Sequence, residues 1–311
     1  MKLFGIPSGG SVAAVAILAA AGSANAQFLT GITKPVFGVN QPTAYFTDLA
    51  AGTNQFLFDI ENDLSIPASA PGFGGLAGDD ANRRFFASVR NGPQDDIYVF
   101  NYNDLLNPTL LFTTRDATGA GQAIDGLAYD SSRNALYGVG RLDDTLLSID
   151  LSTGTATPVF DFSTQIGGAF DWDVSAIDYD ADSDLVYIVN EDSSAEPSRA
   201  IWSFDPSNPT SDLTLVAELP SFVTDVDGLG AGGGQLFLVT DNASSNNGRH
   251  TVYDLATGLF TQPIDSPYPA PAGSPIAPNP SAAGAYTPNL PAPGSLALLA
   301  LGGLGATRRR R

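Results

Sequence analysis

The sequence predicts an all-β chain, a β-propeller of five four-stranded blades, on three observations. Short apolar strands and polar turns recur at near-constant spacing, each recurrence keeps one internal order, and helical periodicity is confined to the two ends.

Four segments align: FGGLAGDDANRRFFASVR from Phe73, IDGLAYDSSRNALYGVGR from Ile124, VSAIDYDADSDLVYIVNED from Val174 and VDGLGAGGGQLFLVTDN from Val226. Their equivalent residues Leu76, Leu127, Ile177 and Leu229 are 51, 50 and 52 residues apart. Each segment reads as a first strand, a polar turn and a more continuously apolar second strand. A third strand follows and ends in an aromatic or aliphatic residue before Asp or Asn, in YVFNYND, LSIDLSTG, WSFDPSNP and TVYDLATG. Fourth strands such as TATPVF and GLFTQPI complete the unit. The stretch TAYFTDLAAGTNQFLFDIEND fits the second and third strands of a first repeat. Repeats of about 50 residues with four strands each are the sequence form of a propeller. The Asp-x-x-Thr-Gly turns resemble those of the NHL, YVTN and quinoprotein-like propeller families, over residues 27–264.

The ends read differently from the body. Residues 1–26 have the layout of a signal peptide: Lys2, an apolar run from Ser11 to Ala21, and Ala24-Asn25-Ala26 as the small-residue cleavage site. Residues 265–293 are predicted as a proline-rich linker; from Pro263 to Pro293 there are ten prolines, with Asp265 as the one charge. Such a segment is expected to be an extended spacer on the order of 80–90 Å long, at about 3.1 Å per residue. Residues 294–311 hold an apolar run, Ser295 to Thr307, followed by Arg308 to Arg311. As a helix the run would be about 20 Å long, short of the roughly 30 Å hydrocarbon core. The flanking arginines favour the cytoplasmic side, so the tail would stall with the body exported.

This layout of motif, apolar segment and basic cluster resembles the PEP-CTERM sorting signals. The motif position holds Pro291, Ala292, Pro293 and Gly294, with Ala292 where that family has Glu. The resemblance implies signal peptidase and an exosortase-type membrane protease as partners, and a cell-envelope, cell-surface or extracellular-matrix destination. Leu290 to Gly294 is also similar to a sortase LPxTG signal, with Pro293 in place of Thr; this ranks second.

Charge narrows the partners. The formal net charge is −19, and losing Lys2 and the four terminal arginines would leave nine basic residues against 33 acids. Such a surface repels nucleic acid and favours cations or cationic partners. The chain has no cysteine, so disulfide and thiol chemistry are excluded. His250 is the one histidine, no GxSxG elbow is present, and no P-loop or dinucleotide fingerprint occurs.

Two sets of residues are candidate sites. Asp178, Asp180, Asp182 and Asp184 alternate in DYDADSD, a spacing used by calcium loops because a tight turn can converge alternate oxygens on one hard cation. Ser183 and Val189 stand where an EF-hand needs Gly and Glu, and the repeat alignment makes the segment an acidic, solvated turn. The second set lies where fourth-to-first and second-to-third strand connections converge around a propeller axis. It comprises Asp125, Asp173 and Asp227 before first strands, and Arg90, Arg141, Asn190, Glu191, Asp241 and Asn242 after second strands. Such a ring suits a glycan, a peptide or a cation. Gluconolactonase-type propellers bind a metal with Glu, Asn and Asp alone, so a metal-dependent hydrolase stays as the alternative to a non-catalytic binding or scaffold protein. Tyr137, Tyr187 and Phe237 are expected as blade packing.

Overall fold

A computed structural model describes residues 28–33, 43–48, 53–59, 66, 73–141, 143–162, 174–190, 199–210, 212–224, 226–240, 249–261, 264–265 and 281–286. These residues form five antiparallel sheets, one per blade. Blade 2 is the meander β4 (Phe73–Asp79), β5 (Arg84–Asn91), β6 (Gln94–Asn101) and β7 (Asp104–Thr113). Blade 3 runs β8 (Ile124–Asp130), β9 (Ala135–Gly140), β10 (Thr145–Ile149), β11 (Ala156–Asp161), and blade 4 runs β12 (Val174–Asp180), β13 (Leu185–Asn190), β14 (Ala200–Phe204), β15 (Thr214–Glu218). Blade 5 is β16 (Val226–Gly232), β17 (Gln235–Thr240), β18 (Arg249–Asp254) and β19 (Leu259–Phe260), with β20 (Ile264–Asp265) also on β18.

Blade 1 is assembled from both ends of the domain. Its order is β21 (Ser281–Tyr286), β1 (Phe28–Thr33), β2 (Thr43–Asp48), β3 (Thr53–Asp59). The innermost strands β4, β8, β12 and β16 pack side by side in sequence, and β21 lies between β16 and β4, closing the ring. Two expectations are corrected here. The TAYFTD and TNQFLFD strands are the third and fourth of their blade, because Phe28–Thr33 takes the second place. The expected spacer over 265–293 is no continuous stalk, because Ser281–Tyr286 within it is a ladder strand. The physical reason is visible in composition: SAAGAY is a proline-free window between Pro280 and Pro288, so each of its residues keeps the N–H that a ladder needs.

Burial explains the strand patterns. Second strands are buried on both faces because blades stack face to face, so Phe85 to Val89 and Val186 to Asn190 are buried without a break and are apolar except for Ser88 and Asn190. Separate apolar clusters fill the gaps between successive blades: Phe86, Ile97, Val99, Leu127 and Tyr129 join blades 2 and 3, and Tyr137, Ile177, Ile188 and Phe204 join blades 3 and 4. Tyr137, Tyr187 and Phe237 are buried packing residues. Outer strands are half-wet, with Leu106, Leu110 and Leu215 exposed on β7 and β15. No helix among the described residues is long and apolar enough to cross a membrane. Residues 1–26 and 290–311 lie outside the described residues.

Candidate functional site

The ring has two ends. Innermost strands start, second strands finish and third strands start at one, here the entry end; innermost strands finish at the far end. The far-end turns share one construction. Asp79, Asp130 and Asp180 close first strands in blades 2, 3 and 4, and each is at most 2% exposed. Each carboxylate accepts backbone N–H groups of its own turn: Asn82 for Asp79, Ser132 and Arg133 for Asp130, Asp182 and Ser183 for Asp180. The turn then ends left-handed, at Arg83, Asn134 and Asp184, before the second strand begins. In blade 5 the turn is Gly233-Gly234, and glycine takes the positive φ without a Cβ penalty. Third-strand turns repeat the device, with Asp150, Asp205 and Asp254 accepting from Ser152, Ser207 and Thr257 and held below the usual carboxylate range by those bonds.

The four alternating aspartates of DYDADSD take different places in this construction. Asp178 is buried in β12 and its Oδ2 accepts from the Ala231 N–H of β16 at 2.8 Å, a pin between blades 4 and 5. Asp180 anchors its own turn, Asp182 is exposed, and Asp184 pairs in two-pronged fashion with Arg133 of blade 3 at 2.6 and 2.8 Å. Arg133, with the Tyr179 hydroxyl, holds the Asp184 carboxyl down at about 2. Four alternate carboxylates thus serve separate partners, and no group of three metal-ligating side chains converges among the described residues.

At the entry end, each first strand of blades 2 to 5 carries a bulge at the same place: between Phe73 and Leu76, Ile124 and Gly126, Val174 and Ala176, Val226 and Gly228. A bulge leaves one residue unpaired and re-aims its side chain. Asp125 and Asp227 occupy that position in blades 3 and 5, and Gly74 in blade 2. The backbones of β4 and β8 nearly touch there: a Cβ on Gly74 would lie 2.1 Å from the Ile124 carbonyl oxygen. Ser88 fills the corner, its Oγ accepting from the Gly75 N–H at 2.8 Å and donating to the Ile124 carbonyl at 3.4 Å.

Three of the expected residues meet at this corner. Arg90 from β5 reaches the Asp125 carboxylate at 2.9 Å, and Arg141, just beyond β9, reaches it at 3.5 Å. Arg141 also pairs at 3.4 Å with Asp95, a residue the sequence reading did not single out. Asp95 lies directly across the β5–β6 ladder from Arg90 and is fully buried. Its Oδ2 accepts from the Ile124 N–H at 2.9 Å. Burial pushes its carboxyl up to about 6, against the opposing pulls of that bond and of Arg141. The signal for Asp95 was its phase: it shares a strand face with Ile97 and Val99, which pack on blade 3. Two carboxylates and two guanidiniums thus form a charge-balanced cluster across blades 2 and 3. The Arg90 side chain stays 38% exposed, so it can also meet a ligand from solvent.

Asn190 is buried at the end of β13, where its Oδ1 accepts from the Ala200 N–H and the Trp202 indole N–H, so it pins β13 to β14. Asp227 is half-buried at the β16 bulge. His250 is buried inside β18, and burial pushes its imidazole down to about 4. Asp173, Glu191, Asp241 and Asn242 lie outside the described residues.

No family model matches the chain, and no curated protein matches it in sequence. Solved structures do match. The nidogen/laminin complex holds a chain with TM-score 0.50 and 12% identity, over 84% of this chain and 98% of that one. TolB from Acinetobacter baumannii matches with TM-score 0.47 and 12% identity, over 77% of this chain and 53% of its own. A structural genomics protein of unknown function from Bacteroides thetaiotaomicron matches with TM-score 0.49 and 15% identity, over 84% of this chain and 64% of its own. At 12% identity the nidogen/laminin likeness speaks for architecture alone, and with the five closed blades it identifies the chain as a β-propeller.

Proposed function

We propose that the protein is exported and works without catalysis, as a binding or scaffold propeller of the cell envelope or extracellular matrix. The observation that carries this reading is the pairing of a signal-type leader at 1–26 with a motif, apolar run and four arginines at 290–311, on either side of a propeller. Signal peptidase would cut after Ala26, and an exosortase-type protease near Pro291 to Gly294. The acidic body suits a cationic partner or bound cations, and the entry end suits a glycan or peptide, to which Arg90 and Arg141 offer N–H donors. A metal-dependent hydrolase would need carboxylates open to an ion; of the described carboxylates at this end, Asp95 and Asp125 are engaged by arginines.

Intact-mass analysis of the protein recovered from its own cells tests this. Both ends missing, or a modified end near Gly294, is expected. Full-length Met1 to Arg311 recovered from the cytoplasm would overturn it.

A further inference from the structure

Both ends of the folded chain leave the ring on one side. β21 pairs antiparallel with β1, Leu29 opposite Tyr286 and Ser281 opposite Thr33. From β1 through β3 the chain makes the same meander as from β5 through β7, so β21 runs with the other innermost strands. It therefore starts at the entry end and finishes, at Tyr286, at the far end. Phe28, where β1 begins, is at the far end as well.

We infer that, while the chain is still held through its C-terminal apolar segment and before the cut near Gly294, the far end faces the membrane and the Arg90–Asp125 corner faces away from it; this rests on the sorting reading above. Reach decides the matter. From Tyr286 to Ser295 is nine residues, at most about 30 Å of extended chain. To bring the entry end to the bilayer, that chain would have to cross a blade of four strands, about 14 Å, and climb a seven-residue strand, about 24 Å. The path exceeds the tether. The far end also carries exposed acidic turns, Asp182 among them, so an anionic lipid surface would repel it and the chain itself must do the holding. A ligand arriving from the medium then meets the entry end first.

The chain has no cysteine, so single labels are clean. Ala181, in the β12–β13 turn, marks the far end, and Ala117, in the β7–β8 connection, marks the entry end; both are exposed. In solution, the full chain with Thr287→Cys and either Ala181→Cys or Ala117→Cys should show much stronger energy transfer for the Ala181 pair. Equal or reversed transfer would overturn the exit geometry. With the full chain in phosphatidylethanolamine–phosphatidylglycerol vesicles carrying an acceptor lipid, the Ala181→Cys label alone should lie nearer the bilayer than the Ala117→Cys label. The reverse order, with normal solution geometry, would overturn the orientation while leaving anchorage intact. Vesicle flotation unchanged by deleting residues 290–311 would instead overturn the anchorage, and the orientation with it.

Discussion

The two ends of the ring use aspartate in opposite ways. At the far end, the turn-anchoring carboxylates bond their own turns: Asp130 and Asp254 accept from residues two and three positions on, and Asp205 from Ser207, two on. At the entry end, Asp95 and Asp125 bond residues from other strands and, through Arg141 and Arg90, from another blade. The difference appears in their acidities. The Asp205 carboxyl is lowered by the Ser207 hydroxyl and N–H, whereas that of Asp95 is raised by burial. Local bonding in water favours the charged form; a buried site between blades disfavours it. One end resists acid less well as pH falls, and the other carries a cost that grows as pH rises.

The sharpest way to break this comparison is Gly74→Ala, which pushes a methyl into the Ile124 carbonyl and forces blades 2 and 3 apart at the entry end. A loss of about 3 kcal/mol or more is expected, seen as a lowered urea midpoint or loss of a cooperative transition. Parent-like stability would mean that the two strands are not in close contact.

Asp95 gives the next effect. Its folded-state value of about 6 lies above the ordinary 3.8, so the folded form holds a proton the unfolded form has released between those values. Stability from this group is greatest below about pH 4 and falls by about 3 kcal/mol as pH rises to 6, then stays level. Asp95→Asn should remove that decline, so the difference between variant and parent shifts in favour of the variant across this window. Urea unfolding at pH 4, 5, 6 and 7 reads it directly; parallel curves would mean that Asp95 titrates normally.

At the far end, Asp130→Ala strips the acceptor from two turn N–H groups and from Arg133, with about 2 kcal/mol expected at pH 7. The smallest effect belongs to Asp184, half exposed, whose pairing with Arg133 joins blades 3 and 4 at the surface. Asp184→Ser should move Tm by about 1 °C at pH 7. With a folded value of about 2, its contribution is present above pH 4 and is lost as pH falls toward 2, the reverse of Asp95. A larger loss from Asp184 than from Asp130 would invert the ranking of the two kinds of contact.

Legibility followed the range of the interactions. The blade repeat was readable because strand alternation and Asp-anchored turns are written in consecutive residues, as in DSSRNALY from Asp130. The entry-end position of Arg90, Asp125 and Arg141 was readable from the repeat alignment, but their meeting was not, since it depends on which blade neighbours which. DYDADSD was readable as a turn from the repeat alignment, but alternate spacing within a strand says nothing about the neighbouring blade, where Asp178 finds Ala231. The closing strand was hidden among prolines, and SAAGAY carries too little apolar area to declare a strand alone.

By itself, the amino-acid sequence determined the all-β class, the repeat, the turn chemistry, the acidic surface and the contrast between body and ends, because each depends on residues close together along the chain. Tertiary structure alone decided that the ring closes with Ser281–Tyr286, that Asp95 is buried opposite Arg90, and that both ends of the domain leave from one side. These depend on ring closure, which joins residues some 250 positions apart, such as Leu29 and Tyr286, and no local pattern encodes a partner at that distance.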